Sequence, residues 1–179
     1  MTTDFMGLCR RRQSCRKYAD RPVEPEKLMA CVEAARLAPS ACNSQPWHFH
    51  VVSRPDLVEK IGAATQEFGA NPTMDTAKAF VVITEEHAKL SPTIRGLIDS
   101  QYYAHGDVGA AAAIICFEAE EQGLGSCILG SYNRETICRA LGVPVEKRVR
   151  LVVALGYAEN AAVREKARKA LDEVVTLYA

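Results

Sequence analysis

The basic stretch RRRQSCRKY, from Arg10 to Tyr18, is a candidate site for binding an anion. Arg12, Ser14 and Arg16 alternate along it, and alternate side chains of an extended backbone point to the same side. Two guanidinium groups flanking a hydroxyl suit a phosphate, because each guanidinium donates paired, charge-assisted hydrogen bonds. A basic turn in contact with solvent has the same composition, so this stretch alone leaves both interpretations open.

A second basic cluster, REKARK from Arg164 to Lys169, lies near the C-terminus. On its own it is typical of a helix surface, where Glu165 and Lys169 would form an ordinary i,i+4 pair. Taken alone, this cluster is therefore a weaker candidate for ligand binding than the N-terminal stretch.

The segment APSACNSQPWHFHVV, from Ala38 to Val52, contains more small, hydrogen-bonding residues than a turn before a strand requires. The excess indicates that the backbone here approaches a ligand. A reactive thiol at Cys42 and a metal at His48 and His50 are weaker alternatives, since no third histidine or carboxylate lies nearby in sequence. The glycines of GLGSCILG (Gly123–Gly130) follow a helix and open a strand, which is the reverse of a dinucleotide-binding loop.

The composition is that of an ordinary globular protein, with 48% apolar and 25% charged residues in a chain of 179. This length suits one domain, and a formal net charge of zero argues against nucleic-acid binding. The longest apolar run is about half of the ~20 residues that a membrane-spanning helix needs, and the N-terminus lacks the apolar core of a signal peptide. Seven cysteines without a CxxC pair are typical of reduced thiols, so we expect a cytoplasmic protein without a metal site.

Alternating helix and strand patterns predict a domain that mixes α and β structure in three layers. Helices are predicted over 4–12, 25–37, 55–69, 94–122 (with a candidate break at Gly106), 134–141 and 162–177. Strands are predicted over 47–53, 79–84, 126–129 and 149–157. The middle of the 94–122 helix, VGAAAAIICF, is apolar on every side and must be covered all round. A second copy of the chain is one way to cover it.

Four motifs, taken in order, closely resemble those of the FMN-dependent nitroreductase family of flavin oxidoreductases. They are RQSCRKY, AARLAPSACNSQPWHF, DVGAAAA followed by EEQGLGSCILG, and VRLVVALGYA. The resemblance covers nearly the whole chain, and APSACNSQPW is its most specific part. It implies a single α+β domain over 1–179, in which helices flank a central, mostly antiparallel sheet. It also implies an intertwined homodimer with two FMN molecules in the interface.

The resemblance further implies which residues hold FMN. The phosphate and ribityl chain would be held by an N-terminal motif that consists of Arg12, Gln13, Ser14 and Arg16. The flavin ring would be contacted by a loop of the partner subunit, Pro39, Ser40, Ala41 and Asn43, and its N5 edge by backbone amides at Leu129 and Gly130. A C-terminal arm of about 158–179 would close on the cofactor or the partner, with Lys166 and Arg168 as a basic pair at the phosphate. No catalytic side chain is implied, because flavin N5 would do the chemistry.

The implied function is hydride transfer from NADH or NADPH to nitroaromatic, quinone or related conjugated acceptors. Three alternatives stay open at this point. The chain would be an FMN-binding store or sensor without efficient turnover, an enzyme of a divergent reaction such as reductive dehalogenation, or a structural dimer that has lost FMN. Retention of Arg12, Ser14, Arg16 and Asn43 argues against the last of these.

Overall fold

A four-stranded sheet forms the centre of the molecule. The computed structural model of the chain describes residues 4–91, 93 and 101–179. Its strands are β1 (Trp47–Val52), β2 (Ala79–Glu85), β3 (Gly125–Leu129) and β4 (Val149–Gly156), in the spatial order β1-β2-β4-β3. Every neighbouring pair is antiparallel, which confirms the predicted sheet.

The helices of the described residues are α1 (Phe5–Arg11), α2 (Pro25–Arg36), α3 (Pro55–Gln66), α4 (Ala104–Glu121) and α5 (Arg134–Leu141). Their starts follow from local chemistry. The side chain of Asp4 accepts a hydrogen bond from the amide of Gly7 at 2.8 Å and caps α1. Prolines at the first position begin α2 and α3, where the missing amide hydrogen costs nothing. Asn133 caps α5 in the same way as Asp4 caps α1.

The sheet is covered by helices on both faces, as the prediction of three layers requires. Strand β2 is buried along its whole length, and its side chains alternate between the two faces. Val81 and Ile83 belong to a buried cluster with residues of α2 and α4. Phe80 and Val82 belong to a second cluster with residues of α3 and α5.

The long apolar helix is α4, which runs through Gly106 without a break. The part of the predicted helix over 94–100 lies outside the described residues, and 101–103 form a turn rather than helix. One side of α4 is fully buried, including Val108 and Ile115, whereas Gly109, Ile114 and Phe117 keep partial exposure. A single chain therefore leaves part of this apolar surface uncovered. None of the helices described is long and apolar enough to cross a membrane.

The predicted C-terminal helix over 162–177 is wrong. This segment is irregular apart from a short 3-10 turn at Leu171–Glu173. The reason is tertiary: the segment lies against the chain that follows α1, where Gln13 donates to the carbonyl of Ala162 at 2.9 Å and accepts from the amide of Arg164 at 3.1 Å. These contacts replace the i,i+4 pairs that the sequence pattern suggested.

Candidate cofactor-binding site

The N-terminal motif continues from α1 as an extended segment that lies along the edge of the sheet. Ser14 forms a parallel bridge with Ser126 of β3, and the amide of Cys15 donates to the carbonyl of Ser126 at 2.8 Å. Tyr18 forms an antiparallel bridge with Ala158, just after β4. The extended backbone on which the alternation argument depends is therefore present.

Two glycines allow this close contact between the motif and the sheet. A Cβ atom at Gly125 would lie 2.7 Å from the Cβ of Cys15, and one at Gly156 would lie 2.7 Å from the ring of Tyr18. Real Cβ atoms essentially never approach other atoms so closely. Tyr18 is also fixed through its hydroxyl, which donates to the carbonyls of Cys15 at 2.9 Å and Ala154 at 3.2 Å.

Arg12, Ser14 and Arg16 all act on the buried thiol of Cys127. Burial raises the pKa of this thiol, whereas the charge of Arg16, a hydrogen bond with Ser14 and the charge of Arg12 act to lower it. The guanidinium carbon of Arg12 also lies 6.0 Å from the centre of the Phe117 ring. Ser14 and Arg16 also line the cavity beside the motif, whereas Arg12 is not among its walls.

A cavity of about 620 Å³ lies beside the motif. Its walls include 13–17, 123–125 and 158–164. Two of its cations have carboxylate partners: Arg11 lies 3.8 Å from Glu120, and Lys17 lies 2.9 Å from Glu159. The guanidinium groups of Arg16 and Arg164 remain as an excess of positive charge, which suits an anionic ligand.

The C-terminal arm brings basic side chains to the motif, but not the pair that the resemblance implied. Lys166 donates to the carbonyl of Arg12 at 2.5 Å, whereas Arg168 is exposed and donates to the carbonyl of the adjacent Ala167. Arg164, which we did not single out, donates to the carbonyl of Ser14 at 2.7 Å. In an extended chain, Arg164 and Lys166 are two residues apart and share a side. The sequence contains this two-residue spacing, but the interpretation of 162–177 as a helix gave it no meaning.

The small-residue loop before β1 has an unusual backbone. Cys42, Asn43 and Gln45 have positive φ angles of 52°, 50° and 49°, a conformation that costs L-residues about 1–2 kcal/mol each. Tertiary hydrogen bonds hold it: the amide of Ala41 donates to both carboxylate oxygens of Asp107, at 3.3 and 3.2 Å. Asp107 was missed as a supporting residue, although it is the first residue of the DVGAAAA motif.

The loop and the N-terminal motif lie at opposite ends of α4. The loop contacts Asp107 in the first turn, whereas Arg12 lies over Phe117 towards the last turns. The ten residues between these two positions span about 15 Å of helix. One chain therefore brings the motif and the arm together but does not bring Pro39, Ser40, Ala41 and Asn43 to them.

Leu129 and Gly130 lie where β3 ends, on the same strand that holds the N-terminal motif. The side chain of Leu129 is buried in the core, and the residue pairs with Val152. Gly130 is exposed, and a Cβ atom placed on it would meet nothing within 4 Å. The backbone at the end of β3 thus has open space beside it.

The two histidines of β1 form a pair rather than a metal cluster. Their ring centres are 4.7 Å apart, and Nε2 of His50 lies 3.2 Å from the hydroxyl of Thr84. Burial and the neighbouring His48 lower the pKa of His50. Across residues 4–91, 93 and 101–179, no group of three His, Cys, Asp or Glu side chains is arranged to hold a metal ion.

Comparisons with known proteins give a consistent result. A family model described as the nitroreductase family matches residues 9–157. A protein of Archaeoglobus fulgidus, provisionally named NADH dehydrogenase/NAD(P)H nitroreductase, is 35% identical over 83% of this chain and 82% of its own. An iodotyrosine deiodinase of Haliscomenobacter hydrossis is 26% identical over 93% of this chain and 85% of its own.

The fold is shared with solved structures. One is a crystal structure of a protein from Desulfovibrio desulfuricans, provisionally named nitroreductase and in complex with FMN. It superposes with a TM-score of 0.80 at 23% identity, over 100% of this chain and 99% of that one.

Proposed function

Because the chain belongs to the nitroreductase family, we propose that it is an FMN-dependent oxidoreductase. It takes a hydride from NADH or NADPH and reduces nitroaromatic, quinone or related conjugated acceptors. The relative from Archaeoglobus fulgidus, whose provisional name combines NADH dehydrogenase and NAD(P)H nitroreductase, supports this reaction class.

The observation that supports FMN binding most strongly is the cationic cavity beside the N-terminal motif. A phosphate needs several donors and an excess of positive charge. The cavity offers the Ser14 hydroxyl together with the guanidinium groups of Arg16 and Arg164, which have no carboxylate partner among the described residues. The residues present therefore fit the phosphate end of FMN.

Each predicted residue has a role in this proposal. The phosphate and ribityl chain are held by the motif Arg12, Gln13, Ser14 and Arg16. Lys166 fixes the arm by its bond to Arg12, and Arg164 adds a positive charge at the position where Lys166 and Arg168 were expected as a basic pair. Arg168 reaches the phosphate only if the arm of about 158–179 closes further. The amides at Leu129 and Gly130 face the flavin edge across the open space beside Gly130.

FMN, when bound, supplies the hydride chemistry between the nicotinamide and the acceptor. In this proposal the protein itself binds, orients and polarises the cofactor. Its cations anchor one end of the cofactor, its backbone amides donate to the other end, and the small residues of the 39–43 loop allow close contact with a flat ring. No side-chain acid is assigned, since water can supply the proton.

The cofactor site is completed in this proposal by a second copy of the chain. The 39–43 loop of one copy contacts the flavin that is held by the motif of the other. Two features support a homodimer. The partly exposed side of α4 is apolar, and large apolar side chains stand in solvent in a single chain: Phe5, Met6, Leu171, Val174, Leu177 and Tyr178 are each more than half exposed. Sedimentation analysis should find a dimer, and a stable monomer would contradict this part.

Purified protein tests the proposal directly. It should be yellow with a flavin spectrum, NADH or NADPH should bleach the colour anaerobically, and a nitroaromatic or quinone should restore it. Colour without bleaching would favour an FMN store or sensor. Colourless protein that does not take up added FMN would contradict the proposed function.

Dehalogenation on the same fold is the second candidate, and the iodotyrosine deiodinase relative favours it. Release of iodide from iodotyrosine by the reduced protein, measured beside nitroaromatic reduction, distinguishes the two reactions.

We place either enzyme in the cytoplasm, because four of the seven cysteines are buried as unpaired thiols.

A further inference from the structure

A second cavity, of about 610 Å³, lies at the start of α4, and none of the residues proposed to hold FMN lines it. Among the described residues, its walls include 101–103, 105–107 and Arg148. Asp107 belongs to this wall and also accepts the hydrogen bond from Ala41. The cavity therefore begins directly beside the loop that is proposed to contact the flavin ring.

Arg148 brings to this cavity a guanidinium group whose ion pair with the protein is long and is shared with a second arginine. Its nearest carboxylate among the described residues is Glu85, at 3.8 Å, which is beyond hydrogen-bond reach. Glu85 is already engaged: Arg150 donates to one of its oxygens and Gln101 to the other. One buried carboxylate thus faces two guanidinium groups, and the guanidinium group of Arg148 is the exposed one, with 56% of its side chain accessible.

The cavity also has an aromatic wall. The rings of Tyr102 and Tyr103 are 5.3 Å apart and perpendicular to one another, and Tyr102 is 67% exposed. A planar aromatic ligand can pack on the uncovered ring of Tyr102. The carboxylate in the wall, Asp107, lies in the first turn of α4, where the positive end of the helix dipole offsets its charge. It therefore opposes an anionic ligand less than its formal charge suggests.

We propose that this cavity binds the electron acceptor, and that the preferred acceptor is a planar aromatic compound with a carboxylate group. The ring packs against Tyr102, and the carboxylate pairs with Arg148. This inference rests on the proposed function, because the acceptor must lie beside the flavin ring, and the 39–43 loop supplies that proximity.

Equilibrium binding tests the proposal without turnover. Benzoate and benzamide have the same ring and differ in charge, and their affinities for the FMN-loaded protein can be measured by calorimetry. We expect benzoate to bind about tenfold more tightly, which is about 1.4 kcal/mol. Arg148→Gln should bring the two affinities together, and it should fold, because Glu85 keeps Arg150 and Gln101. The control is Arg139→Gln, an exposed arginine of α5 that pairs with Glu135, and it should keep the tenfold preference.

Steady-state kinetics provide a second test of the proposal. The ratio of kcat/KM for 4-nitrobenzoate to that for 4-nitrobenzamide should fall about tenfold in Arg148→Gln, with the KM for NADH unchanged. Equal affinities for benzoate and benzamide in the unaltered protein would overturn the proposal. So would an Arg148→Gln effect on the KM for NADH alone, which would assign this arginine to the electron donor.

Failure of the proposed function has a different signature. Benzoate would still bind in a manner that depends on Arg148, yet neither nitro compound would be reduced. That result would overturn the role of the cavity as an acceptor site together with the proposed activity.

Discussion

Replacing Gly125 by alanine should detach the N-terminal motif from the sheet and weaken FMN binding. The added Cβ would lie 2.7 Å from the Cβ and 2.8 Å from the sulfur of Cys15, whereas ordinary contacts begin at 3.4 Å. The motif segment must therefore move by about 0.7 Å, the difference between 3.4 and 2.7 Å. The hydrogen bond from the Cys15 amide to Ser126, now 2.8 Å, would lengthen to about 3.5 Å, the limit of a useful hydrogen bond.

The cost can be worked from these contacts. Overpacking of this kind costs about 1–3 kcal/mol, and loss of the Cys15–Ser126 hydrogen bond costs about 1 kcal/mol. The lower backbone entropy of unfolded alanine offsets about 0.5–1 kcal/mol. We expect the free energy of unfolding to fall by about 2 kcal/mol. Because 13–17 form one wall of the cofactor cavity, FMN affinity should also fall.

Urea denaturation and fluorescence titration with FMN measure the two effects. Cys15→Gly removes the atoms with which the added methyl group would collide, so the double variant should regain at least about 1 kcal/mol relative to the sum of the single variants. Gly106→Ala is the matched control: a Cβ there meets nothing within 4 Å, and this helical position should gain about 0.5–1 kcal/mol. Unchanged stability and FMN affinity in Gly125→Ala, or additivity with Cys15→Gly, would refute the reasoning.

Three other predictions concern single groups. Arg16→Ala should weaken FMN binding by about 1.5–3 kcal/mol in a fluorescence titration, the worth of a hydrogen bond to a charged group; unchanged affinity would remove Arg16 from the site. Cys42, the exposed cysteine of the seven, should be alkylated first by iodoacetamide in mass spectrometry, and FMN should slow its alkylation in the dimer; equal rates with and without FMN would contradict the loop's role. Burial acts to raise the pKa of Glu85, but hydrogen bonds from Arg150 and Gln101, together with the charges of Arg150 and Arg148, hold it below its ordinary 4.5. Its stabilising contribution is therefore complete above pH 4.5 and is lost as the pH falls through the lowered value. Glu85→Gln should flatten the acid side of the stability curve, and an unchanged curve would show that Glu85 does not cause the acid sensitivity.

The parts of the fold that follow local rules could be predicted from the sequence. Pro25 and Pro55 begin helices where expected, and the β-branched run of 79–84 forms the central strand with one further residue, Glu85. The expectation for Arg12, Ser14 and Arg16 required only that their segment be extended. Bridges to the neighbouring strands keep this segment extended.

The failures have a common physical cause, since they depend on contacts between residues far apart in the chain. The charged pattern of 162–177 is compatible with a helix and with an extended arm. The arm forms because Arg164 and Lys166 contact residues 12–14, which are far away in the sequence. No local pattern links Asp107 to Ala41, 66 residues away. Arg168 matched the family motif, but its position depends on how far the arm closes.

The most direct test compares FMN with riboflavin, which has the same ring and ribityl chain and lacks the phosphate. The central claim is that the cations beside the N-terminal motif hold that phosphate. Fluorescence titration should therefore show that FMN binds far more tightly than riboflavin, and that Arg16→Ala weakens FMN alone. Equal affinities for the two flavins, or an equal loss for both in the variant, would contradict the claim.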